Sequence, residues 1–103
     1  MTRPVQAIYH QIGPVAFARM NASNIIPDKR KNALQWKTKG SRFTSIRVEC
    51  RQDEDGYQVS FFIINRQQFT EIVIEQVETE ELTRTIERIT GLRLSSASGD
   101  LVG

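Results

Sequence analysis

One cysteine, one histidine and three prolines are all that this chain of 103 residues holds of the types that build cross-links, metal shells and rigid turns. A lone Cys50 closes no internal disulfide, and Cys50 with His10 supplies only two of the four ligands of a structural zinc shell. Stability therefore has to come from packing. Long apolar runs are missing too. The strongest, Phe61-Phe62-Ile63-Ile64, is far short of the roughly 20 residues that cross a bilayer, and the opening Met-Thr-Arg-Pro lacks the apolar stretch of a signal peptide. A cytoplasmic protein without a membrane partner is expected.

Catalytic arrays are equally scarce. The chain has no glycine-rich phosphate loop, no Ser-His-Asp or Cys-His order and no paired carboxylates set in apolar sequence. His10 has no acidic neighbour in sequence and reads as a boundary residue. Cys50 continues an apolar strand face and reads as a buried structural thiol. Asp53, Glu54 and Asp55 lack the spaced ligands of a calcium loop and read as an exposed acidic turn. The expectation is a non-enzyme with no catalytic residue, metal or cofactor.

The residues present describe an ordinary globular domain, 39% hydrophobic and 25% charged. Pro4 in a first turn capped by Thr2, with Val5, Ile8, Tyr9 and Ile12 on one face, predicts a helix stopped by Gly13 and Pro14. Residues 15–26 fit helix or strand, with the strand favoured, and residues 27–32 read as a solvated loop. Leu34 and Trp36 alternate with Gln35 and Lys37 in a half-exposed strand. Ile46, Val48 and Cys50 alternate with Arg47 and Glu49 in the next.

After the acidic turn, residues 57–64 return as a strand apolar on both faces, expected to be central and covered on both sides. Residues 69–77 form a further strand. Thr79 is placed to cap a closing helix with Leu82, Ile86 and Ile89 inward and a Glu80–Arg84 pair outward. Gly91 ends it, with Leu92 folding back in a Schellman cap. The result is one α+β domain over residues 1–94, in which an N-terminal helix, an antiparallel meander of four to five strands and a C-terminal helix pack together, followed by a flexible tail, 95–103.

With these residues placed, residues 5–94 resemble a family of short uncharacterised proteins encoded by phages, prophages and other mobile elements. The matching positions are Gln11-Ile12-Gly13, Phe17, Met20, Asn24, Asn32, Leu34, Trp36, Lys37, Ile46, Val48, Tyr57, Val59, Phe61 and Thr90-Gly91-Leu92. The resemblance implies a compact mixed domain of mobile-element origin and brings no activity or catalytic residue with it. Lys29, Arg30 and Lys31 depart from the apolar character of such relatives near the first strand pair.

Charge is distributed unevenly. Residues 1–47 carry nine Lys or Arg against one acid, and residues 48–103 carry five against eleven. Lys29, Arg30, Lys31, Lys37, Lys39 and Arg42 suit phosphate neutralisation, with Trp36 as a stacking platform, so a nucleic-acid-binding accessory protein is the first expectation. The bland alternative is a solvated loop and strand face, with Trp36 in the core beside Leu34. A second functional expectation is a protein-binding module, for instance an inhibitor of a host defence complex or a self-associating structural protein. It would act through a β edge or the acidic C-terminal helix on a host or phage protein.

Overall fold

The computed structural model describes residues 4–50 and 56–94. The Thr2 cap, the acidic turn at Asp53, Glu54 and Asp55, and the tail 95–103 lie outside the described residues. Helix α1 runs Pro4–Arg19 and is interrupted by Gly13, whose φ of 85° and ψ of 158° are not helical. The expected stop is thus a break followed by a restart. Pro14 resumes the helix, because a first helical position needs no N–H and suits proline's fixed φ.

This restart corrects the strand favoured for the start of residues 15–26. Ala16 and Phe17 enter the core from the second half of the helix, beside Ile8, Ile12 and Met20. Asn21, at φ 52°, then turns the chain. Tyr9, expected on the apolar face, is half-exposed and stacks on Phe17 across the break, with ring centroids 5.1 Å apart.

Five strands follow: β1 Ser23–Asp28, β2 Ala33–Lys37, β3 Ser45–Cys50, β4 Tyr57–Asn65 and β5 Gln68–Val77. They pair antiparallel in chain order, β1-β2-β3-β4-β5, as the hairpin-rich sequence predicts. Register aligns Trp36 with Ile46, Ile46 with Phe61 and Phe61 with Ile72. One row below, Leu34, Val48, Val59 and Ile74 line up in the same way. These rows form the inner face, and alternation sends Gln35, Arg47, Ser60 and Val73 to the outer one.

A single 3₁₀ turn, Thr79–Glu81, precedes helix α2, Leu82–Thr90. Thr79 is not the cap, a correction to the sequence expectation: it lies inside that tighter turn, and Glu78 and Glu81 hold the two cap positions without a side-chain cap bond. The same turn moves the expected Glu80–Arg84 pair to Glu81–Arg84, at 3.7 Å. Gly91 is left-handed and its N–H donates to Glu87 O at 2.8 Å. That single bond makes an αL cap rather than the expected Schellman motif. Leu94 N–H donates to the Glu87 carboxylate at 2.7 Å and plants the buried Leu94 against the core.

Both helices lie on the inner face, where Ile8, Phe17, Trp36, Phe43, Phe61, Leu82 and Ile86 share one cluster. Among the described residues no helix is long and apolar enough to cross a membrane.

Candidate binding edge

Of the seven residues assigned to nucleic-acid contact, the six basic ones are exposed but spread along the length of β2, and Trp36 is buried. Lys29, Arg30 and Lys31 are exposed in the β1–β2 turn, which is closed by the Lys31 N–H donating to Asp28 Oδ1 at 3.3 Å. Lys39 and Arg42 sit beyond the far end of β2, about 17 Å away at the rise of a five-residue strand. There, Thr38 Oγ1 and Lys39 N–H both donate to Met20 O, tying this loop to the end of α1. The Arg42 guanidinium lies 4.9 Å from the centre of the Phe43 ring. Lys37 projects from the outer face of the sheet.

Trp36 corrects the stacking expectation. It is 1% exposed and meets Phe17 edge-on at 5.0 Å, so neither face of the indole is open to a base. The alternation that opposes Leu34 and Trp36 to Gln35 and Lys37 was the signal for this inward placement.

The outer face is where the structure departs furthest from expectation. β4 lies next to the edge of the sheet and, among the described residues, is covered on its inner side alone. Apolar residues on its second face are therefore a surface: Phe62 is half-buried and Ile64 is 48% exposed. On β5, Phe69 at 67% and Val73 at 40% extend the patch, and the Phe62 and Phe69 rings lie 6.1 Å apart. The other half of this face carries the exposed Ile26 opposite Gln35 but is otherwise largely polar, organised by Arg47, which reaches Glu49 at 3.6 Å and Asp28 at 4.0 Å.

The two sheet edges are unlike. β1 carries Pro27 and a register shift between Ser23 and Ile26, both of which blunt strand pairing. β5 is ten residues long, has no proline and, among the described residues, has an unpaired side. Its backbone direction follows from the neighbouring ladder. Thr44 N–H donates to Phe62 O at 2.7 Å and Ile64 N–H donates to Thr44 Oγ1 at 3.1 Å, so Phe62 and Ile64 present their backbone towards β3. Phe61 and Ile63 then face β5, opposite Ile72 and Thr70. Phe69, Glu71 and Val73 must turn their N–H and C=O groups outward.

No family model, curated protein or solved structure matches the chain.

Of the remaining candidates, His10 is exposed on α1 beside Tyr9. Cys50 is a free, half-buried thiol at the end of β3, opposite Tyr57. Among the described residues no three His, Cys, Asp or Glu side chains gather to hold a metal. The residues of the β5 edge were missed at the sequence level because their meaning depends on which strand ends the sheet. The available signal was the second apolar face of β4.

Proposed function

We propose that this chain is a non-enzymatic protein-binding module that takes up an extended segment of another polypeptide as a sixth strand beside β5. The observation that carries the reading is the outward-facing backbone of Phe69, Glu71 and Val73, set against the exposed side chains of Ile64, Phe69 and Val73. Strand addition satisfies those N–H and C=O groups in one step and covers the free flanks of Phe69 and Val73, the edge members of the apolar patch. Each net hydrogen bond contributes about 0.5–1.5 kcal/mol, and covering one flank of an apolar side chain adds a fraction of the about 1.5–3 kcal/mol that full burial gives.

Amide hydrogen exchange tests this directly. In the free protein, Phe69, Glu71 and Val73 are expected to exchange quickly while Thr70 and Ile72, bonded to β4, are protected. A partner captured by the protein should protect the three outward amides. Val73→Pro should abolish capture, since proline removes a donor that points away from β4 and is tolerated at an edge. Phe69→Ser provides an independent variant should the proline substitution disturb the fold. Capture that leaves the outward amides unprotected, or that survives both variants, rejects the proposal.

Replacing Lys29, Arg30 and Lys31 together by alanine is expected to alter stability by no more than about 1 kcal/mol and to leave partner capture intact, because exposed turn charges contribute little. Titration of this variant and the parent with single- and double-stranded DNA and RNA at about 50 and 200 mM salt is the counter-test. Binding that collapses with salt and with the triple replacement would move the working surface to the basic turn.

A further inference from the structure

The edge that the proposed function uses is acidic. From residue 67 to residue 83 the chain has five glutamates, at 71, 75, 78, 80 and 81, and no lysine or arginine. Glu71 and Glu75 are exposed, and neither makes an ion pair among the described residues. They alternate with Phe69 and Val73, so the outer side of β5 reads apolar, acidic, apolar, acidic from Phe69 to Glu75.

Resting on the strand-capture reading above, we infer that the captured segment is basic: an extended strand in which Lys or Arg alternates with apolar residues. Opposite residues on one face of an antiparallel pair lie about 4.5–5.5 Å apart, close enough for each glutamate to select a cation and for Phe69 and Val73 to select apolar side chains. A second copy of this chain is the poorer occupant. Antiparallel pairing of β5 with itself about Glu71 sets Glu71 against its own equivalent. Pairing about Val73 sets Glu71 against Glu75. Pairing about Ile72 leaves these acids as diagonal neighbours. Each register gathers four carboxylates along one seam, and no cation of β5 relieves them.

The test uses three synthetic peptides that span the edge antiparallel: acetyl-Lys-Thr-Ile-Thr-Lys-Thr-Val-amide and its versions with Gln or Glu at both Lys positions. Binding is followed by amide shifts and exchange at Phe69, Glu71 and Val73. The Lys peptide is expected to bind roughly tenfold more tightly than the Gln peptide, and the Glu peptide more weakly than either. The preference should shrink at about 1 M salt, where the screening length is about 3 Å. It should also level out with the Glu71→Gln, Glu75→Gln double variant.

Equal binding of all three peptides, with the edge amides protected, would overturn the charge selection while leaving strand capture standing. Failure of every peptide, and of a random peptide library, to protect those amides would reject strand capture itself. Concentration-dependent protection of the edge without any peptide would replace the basic segment by a second copy. If the double variant does not fold, the three peptides on the parent protein decide the question alone.

Discussion

Trp36→Ala is expected to destabilise the domain by about 3–5 kcal/mol, a large share of the roughly 5–15 kcal/mol that holds a domain of this kind together. Trp36 is the largest of the fully buried side chains and is 1% exposed. It joins the layers: Phe17 of α1 meets it edge-on, and Ile46 of β3 lies opposite it. Truncation removes both the apolar area and the aromatic contact, and leaves a void that rigid strands cannot close. Trp36→Phe keeps a ring in the site and should recover most of the loss. The measurement is guanidinium unfolding followed by far-ultraviolet circular dichroism, since the substitution removes the only tryptophan. A loss under about 1 kcal/mol would show that this indole is not the centre of the core.

Gly56→Ala is the second substitution with a large expected effect, at about 2–4 kcal/mol. Gly56 opens β4 at a φ of 92°, and a Cβ there would stand 2.8 Å from Val77 O and 3.0 Å from Gln76 C. These are backbone atoms beside the irregularity in β5, where Gln76 is itself left-handed at φ 59° and the pairing shifts between Tyr57 and Val59. Neither strand can give way without the other. Gly13→Ala is the matched comparison: its φ of 85° is similarly unfavourable, but an added Cβ meets nothing within 4 Å. Gly13→Ala should therefore show the backbone strain alone, and Gly56→Ala the strain plus the collision. Thermal melts of the two variants check this, with a fall of roughly 10–30 °C expected for Gly56→Ala in a domain of this size. Equal shifts for both would remove the steric part of the argument.

How much of this was legible beforehand depended on whether the signal was local. The strict alternation of Ile46 and Val48 against Arg47 and Glu49 specifies a strand with one wet face, and the structure has it. Gly91 specifies a helix end through its conformation alone, and that too is present. Gly13 and Pro14 misled because the pair that ends one helix also suits the start of another, and only packing of Ala16 and Phe17 decides between them. The largest misreading was β4. Apolar residues on both faces fit equally a strand buried between layers and a strand whose second face lies open at the surface. Counting layers requires the whole fold, and the described residues supply helices for one side.

The basic residues are spread out for the same reason. Neighbours in sequence from Lys29 to Arg42 are carried to opposite ends of β2 by the strand between them. The acidic β5 edge gathers in space because its residues already share one strand face.

The difference between the two edges also fixes a valence. A sheet that accepts a strand beside β5 but carries Pro27 and a broken register in β1 can grow on one side and by one step. Heterologous pairing that runs on from copy to copy needs two competent edges, and this molecule has one. On the strand-capture proposal, chains of this protein joined β1 to β5 are disfavoured, and a captured segment is expected at one to one.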